Sequence, residues 1–342
     1  MPAWPVYTGT DEPHDGVAQL PDPPPWRAFD GGPVLPVPAE DDHDSPERRY
    51  RAATYRATRE SVELVNAALV LRRPLLITGP PGSGKSSLPY AVARELQLGP
   101  VLRWNVTSRS TLQEGLYQYD PMLRLLAANR MARQNGLTQA AELPKADGSP
   151  AEDLRLGPLG TALLPYERPR VLLIDEMDKS DLDLPNDLLN VLEEGQYEIP
   201  ELVRAAPHTP TVRLMVSGSR NHVEVSGGRV RCRAFPFIVL TSNGEREFPP
   251  AFLRRCVRLH LRMPEQAHLE EIVEAHLGEL DTDARQMITS FLQRSSSGEL
   301  ATDQLLNAIY LTRIPGLEAP SRRELAETLM AHLGPVTEFD DY

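Results

Sequence analysis

The sequence has few of the features that mark an exported or membrane-bound protein. No apolar run approaches the length needed to cross a bilayer. The N-terminus has no basic segment followed by an apolar stretch and a small-residue cleavage site. Cysteine is also scarce: Cys232 and Cys256 form no CxxC pair, and we expect both to be reduced and structural. We therefore expect a soluble, cytoplasmic protein without membrane insertion.

Positive charge is in deficit. The chain carries 48 acidic against 36 basic residues, a formal charge of -12, which repels nucleic acid on average. Nucleic acid is therefore not the expected partner. The eight histidines are scattered, and His268 and His276 with Glu270 and Glu271 miss the HExxH spacing of a zinc site.

Residues 1–46 have the composition of an extended arm. They hold eleven of the 33 prolines together with several acidic residues. Aromatic residues nevertheless occur at four positions: Trp4, Tyr7, Trp26 and Phe29. The arm is either a solvated leader or a segment whose aromatics dock on its own core or on a neighbour, and the aromatics favour docking.

The region 47–262 predicts a parallel sheet. The spacing of apolar residues over Glu47–Leu71 is helical, and a short apolar run at Leu75–Thr78 follows at once. Similar runs recur, with helical stretches between several of them: Val101–Val106, Val171–Ile174, Phe237–Thr241 and Val257–Leu261. This alternation predicts an α/β fold with a doubly wound parallel sheet covered by helices on both faces.

Strand-like runs stop after Met263. Residues 263–342 are predicted to form a small helical domain, which we call the lid, from patterns near 265–277, 283–294, 302–312 and 322–333. Ser321 and Glu324 have the spacing of a capping box that begins the last helix.

A phosphate-binding motif follows the first predicted strand. Residues 79–86 match GxxxxGK[ST] between a strand and a helix, which is the context that the motif requires. Its backbone amides surround phosphates, Lys85 reaches the outer phosphates, and Ser86 binds magnesium. Pro89 lacks the amide that the carbonyl of Lys85 needs, so we expect a local distortion. The predicted nucleotide-binding residues are Gly79, Pro80, Pro81, Gly82, Ser83, Gly84, Lys85, Ser86 and Ser87.

Polar residues end two of the buried runs. Asp175 is placed to hold magnesium through water, and Glu176 to orient and deprotonate an attacking water. A helix cap followed by a solvated acid is the alternative. Asn243 either bonds the attacking water or the terminal phosphate, or is an ordinary turn residue. No metal beyond the nucleotide's magnesium is expected.

The order of these motifs resembles the AAA+ ATPases, and within them the MoxR and dynein-related group with an insertion in the second helix. The likeness covers about residues 50–333 and includes Leu156–Gly160, which resembles the GPLG ahead of the acidic strand. It implies an AAA+ core of the P-loop NTPase fold, ATP and Mg²⁺ as cofactors, and Asn243 as sensor 1.

The resemblance also implies assembly. The segment PAFLRRC at 250–256 is similar to the one that carries the arginine finger, with Arg255 at the better-matching position and Arg254 beside it. Arg323, in Pro320–Arg323, corresponds to sensor 2. A lone subunit is expected to offer only Lys85 and magnesium to the transferring phosphoryl group, and a neighbour's finger completes that clamp. This implies a homo-oligomeric ring, expected to be a hexamer. Without the resemblance, the favoured interpretation of Arg254 and Arg255 is a solvated basic pair at a helix end, stabilised by the helix macrodipole.

Two insertions depart from the smaller MoxR pattern. The first, 107–164, begins with Thr111 and Glu114 in capping-box spacing. The second, 200–233, has alternating runs around a Ser-Gly-Ser turn, which predicts a hairpin of Thr211–Val216 and His222–Val225. In related rings such insertions lie at the pore or the substrate face; surface decoration is an equal alternative here.

The leading functional hypothesis, by resemblance, is an ATPase ring that remodels or activates a partner protein, often one with a von Willebrand factor A (vWA) domain. A hydrolytic set without an appended nuclease, protease or DNA-binding motif favours it. The alternatives are a nucleotide switch with slow hydrolysis in a defence-type system, and a DNA-linked NTPase resembling McrB, whose signature residues 241–246 only loosely match. A small-molecule kinase fits the helical lid and the late arginines less well.

Overall fold

The computed structural model describes residues 5–38, 45–119, 154–295 and 301–314, together with Leu325 and Thr328. In chain order, the helices within these ranges are α1 (Pro46–Thr54), α2 (Arg59–Leu71), α3 (Leu88–Glu95), α4 (Leu112–Leu116), α5 (Pro158–Ala162), α6 (Leu184–Glu194), α7 (Pro200–Ala205), α8 (Pro250–Leu253), α9 (Gln266–Leu277), α10 (Thr282–Ser295) and α11 (Thr302–Thr312). The strands are β1 (Leu75–Thr78), β2 (Leu102–Asn105), β3 (Tyr117–Tyr119), β4 (Leu154–Leu156), β5 (Val171–Asp175), β6 (Gln196–Glu198), β7 (Thr211–Met215), β8 (His222–Ser226), β9 (Arg229–Arg231), β10 (Phe237–Ser242) and β11 (Val257–His260).

Five strands form one sheet in the order β11-β1-β10-β5-β2, and every pairing in it is parallel. Because β1 lies inside the sheet with β11 on one side and β10 on the other, the chain winds in both directions from it. The predicted doubly wound α/β fold is confirmed, and the five predicted strands match β1, β2, β5, β10 and β11 to within one residue at each end.

Both faces of this sheet are buried. In β1, Leu76 packs into one apolar cluster, whereas Leu75 and Ile77 pack into another. Strand β5 divides its apolar residues in the same way, two to each cluster: Leu172 and Ile174, then Val171 and Leu173. Side chains alternate across a strand, so a continuous apolar strand must be covered on both sides.

Two helices, rather than one, precede β1. The continuous spacing predicted a single element over Glu47–Leu71, which is wrong, because the chain leaves helical geometry between α1 and α2. Thr58 starts the second helix, since its Oγ1 accepts a hydrogen bond from the N–H of Ser61 at 3.2 Å. The break places Tyr55 against the loop after β1: a Cβ added to Gly84 would lie 3.3 Å from the tyrosine ring.

The insertions contribute a second, smaller sheet in the order β3-β4-β7-β8. Thr111 and Glu114 form the predicted capping box at the start of α4. The predicted hairpin is also confirmed, as β7 and β8 pair antiparallel. Strand β4 pairs with β7, so the two insertions meet in one layer. Residues 120–153, which hold most of the first insertion, lie outside the described residues.

Helices α9, α10 and α11 pack around a core of their own, formed by Leu269, Val273, Ala284, Ile288, Phe291, Leu305, Ala308 and Ile309. Three of the helices predicted for this region are confirmed. The fourth, near 322–333, falls outside the described residues apart from Leu325 and Thr328.

No helix among the described residues is long and apolar enough to cross a membrane. Cys232 and Cys256 are free thiols, and burial raises the pKa of each to about 12. Both thiols therefore stay protonated at neutral pH and are poor nucleophiles.

The arm packs on the core through part of its length. Tyr7 is 1% exposed and joins the apolar cluster beneath α2 and α3. Phe29 stacks on Phe235 with the ring centroids 5.4 Å apart. The docking hypothesis is therefore correct for these two arm aromatics. Trp26, which is 75% exposed, does not dock on its own core, so its docking on a neighbour stays a prediction, and Trp4 lies outside the described residues.

Asn66 fastens the N-terminal part of the arm. Its buried Oδ1 accepts from the N–H groups of Val6 at 2.7 Å and Tyr7 at 2.9 Å, and its Nδ2 donates to the Tyr7 carbonyl at 2.7 Å. Glu95 binds the next residue, because its Oε1 accepts from the hydroxyl of Thr8 at 2.8 Å. Buried side chains thus satisfy backbone groups that no strand partner serves.

Replacing Asn66 with leucine, which has a similar shape, should release the arm. The buried N–H groups of Val6 and Tyr7 lose their acceptor, so we expect the free energy of unfolding to fall by about 2–4 kcal/mol and the arm to be cleaved faster. Urea unfolding and limited proteolysis measure these effects. Glu63→Gln, on the exposed side of α2, is the matched control. Cleavage of Asn66→Leu at the wild-type rate would mean that other contacts hold the arm.

Candidate functional site

The loop after β1 is packed so tightly that two positions require glycine. Gly79 has φ +152°, and a Cβ there would lie 2.3 Å from the carbonyl oxygen of Leu261, just after β11. Gly82 has φ +73°, and a Cβ there would lie 2.7 Å from the Cβ of Ala301, just before α11. The loop is therefore held between the sheet and the lid in conformations that favour glycine.

Lys85 is a buried cation within this loop. It is 7% exposed, and its Nζ donates to the carbonyl oxygens of Gly79 at 2.8 Å and Pro80 at 2.7 Å. Burial lowers its pKa, while the carboxylates of Asp178, Asp175 and Glu176 oppose that change. Among the described ion pairs, none involves Lys85, so its charge remains available to an anion.

The helix after the loop begins late. Helix α3 starts at Leu88, and the N–H groups of Ser87 and Leu88 both bond to the carbonyl of Gly84, at 3.0 and 3.3 Å. Pro89 therefore stands in the first helical turn, where the missing N–H costs little. The expected distortion is present, because residues 85–87 form a turn ahead of the helix.

The carboxylate of Asp175, at the end of β5, accepts three hydrogen bonds. Its Oδ1 accepts from the hydroxyls of Ser86 and Thr241, each at 2.7 Å. Its Oδ2 accepts from the guanidinium of Arg103 at 3.0 Å. The loop after β1 and the strands β10 and β2 thus each bring a donor to one edge of the sheet, where parallel strands end together. The sequence pattern does not single out Arg103, since it matches no motif.

Glu176 is held in an uncommon backbone conformation beside it. With φ +61° and ψ 46°, it occupies the left-handed region, which costs a non-glycine residue about 1–2 kcal/mol. Its N–H donates to Oγ1 of Thr241 at 2.9 Å, so one threonine positions both acidic residues. Its Oε1 accepts from the ammonium of Lys179 at 2.8 Å in a half-exposed pair.

A buried carboxylate sets the path of the loop after β10. Asp178 is 2% exposed, and its Oδ2 accepts from the N–H groups of Asn243 at 2.8 Å and Glu245 at 3.1 Å. These bonds anchor the backbone of Asn243, which lines the same cavity as Glu176. The sequence pattern does not distinguish Asp178, because an acid in polar sequence after a strand is usually solvated.

These residues line a cavity of about 1040 Å³ between the sheet and the lid. Residues 81–87 lie along one side of it together with Asp175, Glu176 and Asn243. Helix α1 and the lid border the remainder, and they touch each other: the Tyr50 hydroxyl donates to the carbonyl of His276 at 2.8 Å. The volume suits a ligand of nucleotide size.

Three arginines, Arg51, Arg56 and Arg262, also line the cavity. The cavity lining therefore includes cations besides Lys85, whereas the expectation that a lone subunit offers only Lys85 and magnesium to the phosphoryl group stays a prediction. Arg51 pairs with Glu47 at 2.8 Å, and Arg56 donates to main-chain carbonyls of its own segment. Helix α1 supplies the first of these cations, and only the folded chain brings that helix beside the loop.

The two candidate finger arginines lie away from this cavity. They precede β11, whose first residue pairs with Leu75 at the start of β1, whereas the cavity adjoins the end of β1. The length of the strand, roughly 13 Å, separates the two places. Arg255 donates from Nε to Glu193 Oε1 at 2.7 Å, and Arg254 is exposed. Arg323 lies outside the described residues.

The arrangement fits the magnesium complex of a nucleoside triphosphate. Magnesium takes few protein ligands and keeps several waters, and Ser86 with Asp175 offers such a set. Over the described ranges, no group of three or more His, Cys, Asp or Glu is placed to hold another metal. The hydroxyls of Ser83 and Thr302 line the cavity and are buried without a hydrogen-bond partner in the protein. Each can donate a hydrogen bond to an acceptor on a ligand in the cavity.

Comparisons with known proteins find similarity over parts of this chain. A curated relative from Pseudomonas aeruginosa, the ATP-dependent protease ATP-binding subunit-like protein AmiB, is 29% identical over 178 residues, which are 51% of this chain and 42% of the relative. The chain thus spans less than half the length of that relative. A solved structure of C. elegans PCH-2 is matched over 86% of this chain and 69% of that one, at 14% identity and a TM-score of 0.36. The family model of the AAA domain, dynein-related subfamily, matches residues 74–256, and the chain belongs to this family of AAA+ proteins.

Proposed function

We propose that this AAA+ protein binds ATP with Mg²⁺ and hydrolyses it as one subunit of a MoxR-like ring that remodels or activates a partner protein. AAA proteins in general hydrolyse nucleotides. The observation that carries the proposal is the meeting of the phosphate loop, Asp175, Glu176 and Asn243 at one sheet edge, beside a cavity that the lid borders.

In this proposal the loop after β1 binds the phosphates. Its backbone N–H groups and the ammonium of Lys85 supply the positive potential, and the carbonyls of Gly79 and Pro80 keep that ammonium at the loop. Ser86 and Asp175 hold magnesium, which neutralises phosphate charge when bound. By resemblance, Arg323 adds the sensor 2 contact from the lid.

Glu176 is the proposed general base. Its left-handed backbone and the bond to Thr241 fix where the side chain begins, at the edge of the cavity. Lys179 contacts only Oε1 of this carboxylate, which leaves Oε2 to accept a proton from water. The Lys179–Glu176 pair is half-exposed and screened by solvent, so it holds the carboxylate only weakly. Asn243, anchored by Asp178, orients the same water.

Glu176→Gln should still bind nucleotide but lose turnover by on the order of a hundredfold or more, because the amide cannot take up the proton. Lys85→Ala should lose nucleotide binding itself. Fluorescent ATP binding and steady-state phosphate release separate the two effects. Glu194→Gln, a change in an exposed acid of α6, is the control. Wild-type turnover by Glu176→Gln would remove this residue from the chemistry.

Ring assembly is proposed from the position of Arg255. It lies at the opposite end of the sheet from its own cavity, so within one subunit it cannot contact the phosphates. In a closed ring of heterologous contacts, this end of one subunit can face the cavity of the next. The cavity arginines Arg51, Arg56 and Arg262 are the alternative, a charge clamp supplied within one subunit.

Arg255→Ala should lower the turnover of the assembled protein by on the order of a thousandfold, as expected for a finger supplied by a neighbour. ATP hydrolysis measured against protein concentration, with light scattering for oligomeric state, tests this. Arg229→Ala removes a comparable exposed arginine, paired with Glu198 at 2.8 Å, and should change little. A monomeric wild type whose turnover ignores Arg255 would favour the cavity arginines.

The proposed substrate is a protein, and by resemblance a vWA-domain protein is the first candidate partner. The relative's name, ATP-dependent protease ATP-binding subunit-like protein, agrees with a protein-handling role. The charge of -12 argues against nucleic acid.

A slow nucleotide switch is the second candidate, and the Lys179–Glu176 pair favours it because the ammonium binds one of the two oxygens of the proposed general base. Turnover stimulated by an unfolded or vWA-domain protein would support remodelling. Assembly that depends on nucleotide, with negligible turnover, would support the switch. A strong preference for GTP, or stimulation by DNA, would instead indicate the McrB-like function.

A further inference from the structure

Arg103 contacts the phosphate site from outside the cavity. It lies in β2 with its guanidinium 3.0 Å from Oδ2 of Asp175, and it does not line the cavity. Its side chain is 38% exposed, whereas that of Asp175 is 9% exposed. Arg103 therefore reaches the carboxylate from the β2 side and acts on the site through Asp175.

This contact occupies the oxygen that the other donors leave free. Oδ1 already accepts the hydroxyls of Ser86 and Thr241, while Arg103 is the one described donor to Oδ2. A carboxylate this deeply buried is costly unless an opposite charge and hydrogen bonds compensate it. The guanidinium, 3.0 Å from Oδ2, supplies that opposite charge.

We propose that Arg103 stands in for magnesium: it neutralises Asp175 in the nucleotide-free protein and competes with Mg²⁺ for this carboxylate. Arg103 thereby sets the magnesium concentration at which the site takes up nucleotide. The inference rests on the proposed function, because it requires Ser86 and Asp175 to receive the magnesium of a bound nucleotide.

Electrostatic repulsion predicts that Arg103 weakens the binding of magnesium at Asp175. Arginine stays protonated at every accessible pH, so its charge cannot be removed by proton loss. Two cations beside one carboxylate repel each other. The binding free energy of magnesium is therefore less favourable when the carboxylate is already paired with arginine. Because its side chain is partly exposed, Arg103 can turn into solvent when it is displaced. It is a positioning residue for Asp175 and a competitor of the metal.

The test compares Arg103→Met, which removes the charge but keeps much of the length, with Arg103→Lys, which keeps the charge. MgCl₂ is titrated from a chelated solution against a fluorescent mant derivative of AMP-PNP, so the readout is binding without hydrolysis. We expect the magnesium concentration for half-maximal binding to fall on the order of tenfold in Arg103→Met and to stay within about twofold of wild type in Arg103→Lys.

A second readout monitors the unliganded protein. In EDTA without nucleotide, Arg103→Met should melt about 2–4 °C below wild type, because Asp175 loses its charged partner. Arg258→Met is the matched control: Arg258 is an exposed arginine of β11 in the same sheet and forms no ion pair with Asp175. It should leave the magnesium requirement unchanged.

The outcomes separate this inference from the function on which it rests. An unchanged or raised magnesium requirement in Arg103→Met would overturn the inference, even with reduced stability, and would leave Arg103 as a structural partner of Asp175. Failure of the wild type to bind the probe at saturating magnesium would overturn the proposed function, and the inference with it.

Discussion

The carboxylate of Asp175 is the point at which the central sheet is joined to its loops. It accepts one donor from the loop after β1, one from β10 and one from β2, through Ser86, Thr241 and Arg103. Thr241 also accepts from the N–H of Glu176, so one residue of β10 contacts both acids. Any change in the partners of Asp175 therefore reaches three strands at once, which is the kind of connection that lets a bound ligand alter a sheet edge.

Glu193 contacts both the arm, through Arg27, and the candidate arginine finger, Arg255. Arg27, buried in the arm and 4.5 Å above the ring of Phe235, donates to the main-chain carbonyl of Glu193 at 2.8 Å and to that of Arg72. The Glu193 carboxylate receives Arg255 at 2.7 Å and lies 3.7 Å from Arg27. The docked arm thus helps to position Glu193, which in turn binds Arg255. The proposed ring contact of Arg255 therefore depends on Arg27, which is distant in sequence.

Much of the fold and part of the site could be predicted from the sequence because their signals are local. A strand buried on both faces is a short apolar run, and the phosphate loop specifies its own turn through Gly79 and Gly82. The break at Tyr55 was missed because apolar spacing continues through it; the N-cap at Thr58 is a local signal for the second helix, but the packing of Tyr55 beside Gly84 is not. The role of Arg103 could not be predicted either. A single arginine in a strand matches no motif, and its contact with Asp175 arises only because β2 and β5 are neighbours in the folded sheet.

The lid is tied to the site on two sides, which bears on how nucleotide could be coupled to assembly. Gly82 of the loop lies against Ala301 at the start of α11, and Tyr50 of α1 bonds to His276 of α9. The cavity lies between these contacts, so a ligand that reshapes the loop must also shift the lid or strain the contact at Gly82. Arg255 lies at the far end of the sheet. In the proposed ring, each subunit therefore has one end that responds to its own nucleotide and another that acts on its neighbour's.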